Sequence, residues 1–292
     1  MVEIKGSMET FPLLYHSRML ADEHRLNCFK TAIDRIVQED SHVVDLGGGT
    51  GVLTQMLAQK TNGLVTYIDM LEASSIVAQI LNRGLSKNIQ YISKKSFDVQ
   101  LKDRPDVLVT ETLGYFGIDE GIVELCHDFC TRHPSIKMLI PSKVSLKYQF
   151  IHLPELNADF DLLLSSYASR FGSVPAELVS EFERLFCNLI RKKIIKSDGM
   201  EVCSEPKLIR RFNLGLDKSS DTEYSVECKA SQRANAIHFY FEAELADGVK
   251  LSNYVFEPKT HWLHSYAGIP KGISSGQLKF VSTERKIRLR WK

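Results

Sequence analysis

HVVDLGGGTG, residues 42–51, is a short β-branched apolar run that stops in a cluster of glycines. Val43 and Val44 favour extended backbone, and glycines let a chain turn tightly and approach a ligand closely. VLTQMLAQK (52–60) follows with helical spacing, so the local order is strand, glycine turn, helix. The same alternation continues outward. LVTYID (64–69) is a second apolar strand, LEASSIVAQILNRG (71–84) is helical, and IQYIS (89–93) and DVLVTE (106–111) are strands again. Strands alternating with helices specify an α/β fold with a parallel sheet, and continuously apolar strands fit a sheet covered on both faces.

Upstream, Met19, Leu20, His24, Leu26, Phe29, Ile33, Ile36 and Val37 form a 3.6-period face that predicts one helix over 12–40. Beyond Pro141 the period becomes two. VSLKYQFIHL (144–153), EYSVECKA (223–230), AIHFYFEAEL (236–245), GQLKFVST (276–283) and KIRLRW (286–291) read as strands of an antiparallel sheet or barrel. Inside that half, residues 174–195 place Leu178, Phe182, Leu185, Phe186, Leu189 and Ile190 on one helical face, with Pro175 where a helix starts. Such a stripe needs a partner. The change of period sets a boundary at 140–143. Residues 1–140 form a Rossmann-like domain with an N-terminal helix, and 141–292 a β-barrel domain with a helical arm at 157–195.

The 292 residues are 43% hydrophobic and 25% charged, the balance of a folded soluble protein. Lys plus Arg is 37 and Asp plus Glu 36, so whole-chain charge draws it neither to nucleic acid nor to an acidic membrane. No apolar run reaches the roughly 18 residues of a membrane span, and MVEIKGSMETF lacks the form of a secretory signal. The six cysteines (28, 126, 130, 187, 203, 228) are scattered, without CxxC. A reducing, cytoplasmic setting is expected, and no metal.

A nicotinamide-dinucleotide fingerprint needs GxGxxG; here Gly47-x-Gly49 is followed three positions on by Val52, and the pattern fails. What stands is Asp45 closing the first strand, then Gly47, Gly49 and Gly51, then Asp69 closing the second strand. A carboxylate at Asp69 can hold ribose hydroxyls. Asp45 would repel a pyrophosphate but tolerates a cationic amine, which tilts the reading toward S-adenosylmethionine. Glycines alone would be an ordinary tight turn; their register with the strand, the helix and both acids argues for a ligand.

DVLVT ends in Glu111, and nine residues on stands Glu120, with Gly114, Tyr115, Phe116 and Gly117 between them. Ligands bind where strands of such a sheet end. Two carboxylates brought close raise each other's pKa unless a cation satisfies them, and a planar guanidinium matches the pair with paired hydrogen bonds. The plainer reading is two solvated surface acids.

These segments together resemble the protein arginine methyltransferase family. HSRMLADEHR (16–25) is similar to its cofactor-covering helix, VVDLGGGTG to its cofactor loop and TETLGYFGIDE (110–120) to its double-glutamate hairpin. LIPSKVSL (139–146) resembles the lead into its barrel, and KTHWLHS (259–265) its Thr-His-Trp loop. The resemblance runs in order from about residue 14 to the C-terminus.

By position it implies that Arg25 meets the methionine carboxylate of S-adenosylmethionine, and that His16 and Met19 lie against the cofactor. Gly47 and its neighbours pass beneath it, Asp69 holds the ribose, and Asp98 is the acid nearest the adenine. Glu111 and Glu120 grip the substrate guanidinium, Tyr115 and Trp262 wall its pocket, and His261 faces Asp22; Glu120 and the Asp22–His261 pair are the two routes for the departing proton. The chain departs from the family at Thr112, where a tryptophan is usual, and at Ile122, where a methionine is usual. It also lacks the N-terminal YFxxY-type pattern. The implied activity is S-adenosylmethionine-dependent methyl transfer to an arginine guanidinium in a protein or peptide, by a homodimer without nucleic-acid or membrane partners. A small-molecule guanidine or amine substrate, and a catalytically silent scaffolding paralogue, are the alternatives.

Overall fold

The computed structural model describes residues 13–85, 88–220, 222–227, 233–273, 275–281 and 286–291. It opens with two helices, α1 (Leu13–Leu20) and α2 (Glu23–Ile36), where periodicity predicts one. The break is Asp22. Its side chain accepts the Arg25 backbone N–H and caps α2, in a non-helical conformation.

Then β1 (Val43–Leu46), α3 (Val52–Lys60), β2 (Val65–Asp69), α4 (Glu72–Leu81), β3 (Ile89–Ser93), β4 (Val107–Thr110), α5 (Ile122–Arg132) and β5 (Met138–Ile140) alternate. Their five-stranded sheet runs β3-β2-β1-β4-β5, every pair parallel. β1 and β4 are buried along their whole length, as inner strands covered on both faces must be. The order reverses between β1 and β4, and the crevice beyond their carboxyl ends is the natural ligand site of such a sheet. Thr110 Oγ1 donates to the Leu46 carbonyl at 2.7 Å and ties the two strand ends together.

The second half comprises β6 (Lys143–His152), α6 (Pro154–Phe171), α7 (Ala176–Asn188), β7 (Arg191–Lys193), β8 (Glu201–Val202), β9 (Lys207–Asn213), β10 (Thr222–Glu227), β11 (Ala236–Ala246), β12 (Val249–Ser252), β13 (His264–Gly268), β14 (Ser275–Val281) and β15 (Lys286–Trp291). One antiparallel sheet has the path β7-β13-β11-β6-β8, with β12 on β11 and β9 on β6; the other runs β10-β14-β15. The two share a core. Tyr148 of the first meets Tyr224 of the second edge-on, with ring centroids 6.0 Å apart. That core continues into the parallel-sheet domain, because Leu113, Phe116 and Ile118 are buried in the same cluster as Phe241 and Trp262.

α6 and α7 form a helical hairpin. The helix expected over 174–195 stops at Asn188, because Leu189 turns extended and Arg191–Lys193 pair with β13 instead. Two members of the predicted apolar stripe also find their partners within the chain. Phe186 packs on Phe160 (5.2 Å) and Phe182 on Tyr167 (5.8 Å), whereas Leu185 and Leu189 stay exposed. Phe186→Ala is therefore expected to destabilise the folded chain, by about 1–3 kcal/mol for a half-buried aromatic. Urea unfolding checks this; an unchanged midpoint would mean that the hairpin contact is not made.

Candidate active site

A cavity of about 450 Å³ opens at the carboxyl edge of the parallel sheet. Gly47–Gly49 after β1, Asp69 at the end of β2, and Glu111 and Thr112 beyond β4 line it, and Tyr15, His16 and Met19 of α1 cover it. The glycine turn is a close approach. Gly47 sits at φ +74°, and a Cβ there would lie 2.8 Å from Thr112 Cγ2. The Gly49 N–H donates to Asp69 Oδ2 at 3.0 Å and the Leu71 N–H to Oδ1 at 2.8 Å, which fixes that carboxylate at the rim.

Three of the cofactor candidates lie elsewhere. Asp45 is buried under the loop, accepts the Thr54 hydroxyl at 2.6 Å, and is pushed up to about 6 by desolvation. Gly51 starts α3 behind the cavity; a Cβ there would lie 2.6 Å from Ala78 Cβ, so its smallness serves the contact of α3 with α4. Asp98 is exposed. The single 3-10 turn Ser96–Asp98 presents Ser96 and Phe97 to the cavity, beside Lys94 and Lys95, and leaves Asp98 outside its lining.

Arg25 and Glu111 meet, though 86 positions separate them. Nη1 donates to Glu111 Oε2 at 2.6 Å, both side chains are nearly inaccessible to water, and Nη2 donates to the Met19 carbonyl at 2.8 Å. Arg25 Nε is buried without a hydrogen-bond partner. Burial pushes the Glu111 carboxyl well above the usual range, against the pull of Arg25. Glu120 opens to the cavity mouth, and the Tyr15 hydroxyl donates to its Oε1 at 3.4 Å. Desolvation by the surrounding protein and the neighbouring Asp119 charge push Glu120 up to about 7. Tyr15 is a site residue that the sequence reading does not pick out. Its signal is position: it stands four residues before Met19, on the same helix face.

The loop between the glutamates is pinned from the second half of the chain. Trp262 Nε1 donates to the Leu113 carbonyl at 2.8 Å, and Asn253 Nδ2 to the Tyr115 carbonyl at 2.7 Å. Neither the Tyr115 ring nor Trp262 lines the cavity; the first lies beneath Lys192 and the second is buried against Phe241. His261 also stands outside it, lining a separate cleft between the α1–α2 corner and residues 253–264. Its Nδ1 meets Asp22 Oδ2 at 2.9 Å, and its backbone N–H donates to the same oxygen at 2.8 Å. Burial keeps the imidazole neutral by lowering its pKa, so Nδ1 is the donor. Against the desolvation of its own site, these donors hold Asp22 below the usual carboxylate range.

The parallel sheet, whose strand order reverses at this edge, thus places a glycine loop, Asp69 and two glutamates around one cavity. No family model matches the chain. It is 25% identical over 276 residues to an arginine N(omega)-methyltransferase of Streptomyces achromogenes subsp. streptozoticus, covering 89% of this chain and 72% of that protein. It is 34% identical over 113 residues to protein arginine N-methyltransferase 1 of Dictyostelium discoideum, a match that spans 37% of this chain and only a third (33%) of that relative. Among solved structures, the arginine methyltransferase enzyme–prozyme heterotetrameric complex of Trypanosoma brucei with AdoHcy superposes with a TM-score of 0.74 at 21% identity, covering 92% of this chain and 87% of that one. The chain is thus similar over most of its length to an arginine methyltransferase, and it shares the fold of the solved one.

Asp22 serves both domains at once, as cap of α2 and as acceptor for His261. Asp22→Ala is expected to cost about 2–4 kcal/mol, more than the 0.5–2 kcal/mol of a lost cap, because buried donors are stranded as well. Chemical denaturation measures it; a loss within the range of a cap alone would show that the domain junction does not depend on this carboxylate.

Proposed function

We propose that the chain transfers a methyl group from S-adenosylmethionine to a guanidinium nitrogen of arginine in a protein or peptide. The observation that carries this reading is the pair Glu111 and Glu120 on one cavity with the glycine loop and Asp69. The cavity residues fit the cofactor. Arg25 Nε is a buried donor with no partner, suited to a carboxylate, and the Gly47–Gly49 turn has the close backbone approach that an adenosyl ligand needs. Arg25, His16, Met19, Gly47, Gly49 and Asp69 would hold it; the similar Trypanosoma complex was solved with AdoHcy. Free arginine is the second reading, favoured by the Streptomyces relative's name and by the small Thr112 side chain on the cavity wall.

When bound, S-adenosylmethionine supplies a methyl group on an electrophilic sulfonium. The chain's own task is to make a guanidinium nucleophilic. Its lone pairs are delocalised and its pKa exceeds about 12. Glu111 and Glu120 accept from two of its N–H groups, which orients the third nitrogen and draws positive charge away from it. Positioning of this kind can remove up to roughly 7–11 kcal/mol of a barrier. Arg25 holds Glu111 in place, and the Tyr15 hydroxyl steadies Glu120. Glu120, exposed to solvent and pushed up to about 7, is the group suited to take the departing proton on a carboxylate oxygen. Asp22 and His261 support the domain junction in this reading, and the His261 ring meets Tyr15 edge-on with centroids 5.8 Å apart.

Glu120→Gln is expected to bind S-adenosylmethionine normally and to lose about 100-fold in single-turnover methyl transfer, the scale of removing a preorganised electrostatic group. The wild-type rate should rise between pH 6 and 8. Glu111 and Glu120 must both be ionised to accept, and their pKa values are raised to about 8 and about 7, so activity falls as pH drops through that range. A flat profile with an unimpaired Gln variant would remove Glu120 from the chemistry.

Assembly as a homodimer accounts for the remaining apolar surface. Leu162, Leu163, Phe171 and Leu185 are exposed on the arm, and Ile76, Val77, Ile80 and Leu81 on the outer face of α4. An arm seated on the partner's α4 would cover both patches and close a ring of two. Leu163→Glu with Leu185→Glu is expected to leave a folded monomer by light scattering; a dimer that persists would place the interface elsewhere.

A further inference from the structure

β7 holds three consecutive basic residues, Arg191, Lys192 and Lys193, between the arm and the sheet. Successive side chains of a strand point to opposite faces. Arg191 and Lys193 share one face, and both hold the arm. The Arg191 guanidinium lies 3.7 Å over the Phe186 ring of α7 and donates to the Phe186 carbonyl at 2.8 Å, and Lys193 pairs with Glu155 of α6. Lys192 takes the other face, toward the loop between the two glutamates. Its Nζ lies 4.0 Å over the Tyr115 ring and 3.7 Å from Asp119 Oδ2.

Asp119 is the internal brace of that loop. Its Oδ2 accepts the Tyr115 N–H and its Oδ1 the Phe116 N–H, both at 3.2 Å. Gly114 leaves room for it; a Cβ there would lie 2.0 Å from Asp119 Oδ1. Asp119 immediately precedes Glu120, so whatever fixes Asp119 fixes the backbone from which the Glu120 carboxylate projects. A cation–π contact and an ion pair from one ammonium hold both ends of this brace. The hold comes from a strand two residues beyond α7.

We propose that Lys192 is a positioning residue that seats Glu120 for the guanidinium and links that seat to the α6–α7 arm. This rests on the methyl-transfer reading for its kinetic consequence, but not for its structural one. Lys192 does not itself line the cavity; it acts on Glu120 through Tyr115 and Asp119 and through its charge.

The test compares Lys192→Met, which keeps the chain length and loses the charge, with Lys192→Arg. Hydrogen–deuterium exchange of residues 113–121 is read first, because it needs no activity. Lys192→Met should speed exchange there at least fivefold and leave β1 and β4 unchanged, while Lys192→Arg stays near wild type. Single-turnover transfer to an arginine peptide should then fall about tenfold in Lys192→Met, with S-adenosylmethionine affinity retained and the rate largely restored in Lys192→Arg. The pH profile supplies a readout that packing alone would not move. Tyr15 from α1, Asp119 on the same loop, Glu111 beyond β4 and Lys192 from β7 are the titrating groups that face Glu120 or its immediate neighbours. Removing the Lys192 charge, which lowers the Glu120 pKa, should carry the acid limb of the profile to higher pH.

Unchanged exchange over 113–121 in Lys192→Met overturns the proposal whatever the activity. So does wild-type rate and pH profile in an active enzyme. If the wild type methylates no guanidine while Lys192→Met still loosens 113–121, the methyl-transfer reading fails and the positioning role stands.

Discussion

The ion pair of Arg25 with Glu111 is the contact on which the rest of the site depends. It joins α2 to the end of β4 in a place almost without water. Such a pair adds little net stability, because both ions are desolvated, but breaking it strands a buried charge at a cost of about 3–5 kcal/mol. Its value is geometric. With Met19 accepting from the same guanidinium, the covering helix, the first glutamate and the cofactor end of the cavity keep fixed relative positions. In the proposed reaction a second guanidinium would find this carboxylate already oriented.

The two glutamates are held by different means. Glu111 sits on the rigid end of a buried strand. Glu120 rides a loop of no regular structure, kept in shape by glycine sterics, the Asp119 brace and contacts from the barrel-like half at Trp262, Asn253 and Lys192. The second domain therefore does more than wall a cleft. It supplies the order that the loop cannot supply for itself, and Asp22 with His261 keeps the two halves in register for that purpose.

Much of this is legible in the sequence because it is local. Alternating periods define the parallel sheet, and HVVDLGGGTG with Asp69, and Glu111 with Glu120, announce a site at its edge. What escapes the sequence is tertiary. No spacing rule links Arg25 to Glu111, or Lys192 to Asp119. Asp45 and Gly51 belong to the glycine motif, yet serve burial and helix packing behind the cavity, because one turn of chain has both an inner and an outer side. Asp98 falls outside through the pitch of a single 3-10 turn. β9 and β13 carry too little two-residue alternation to be read as strands, and gain their order from β6 and β11. α6 falls in the helical arm expected over 157–195 but starts earlier, at Pro154, and its apolar residues are shared between α7 and solvent.

The central claim is that Glu111 and Glu120 form one receptor for a guanidinium while Arg25 keeps its hold on Glu111. A crystal structure of the chain with S-adenosylhomocysteine and an arginine ligand tests this most directly. The account predicts the guanidinium between the two carboxylates, one nitrogen turned toward the sulfur, and the Arg25–Glu111 contact intact. An arginine side chain bound elsewhere, or an Arg25 that has left Glu111, would contradict it.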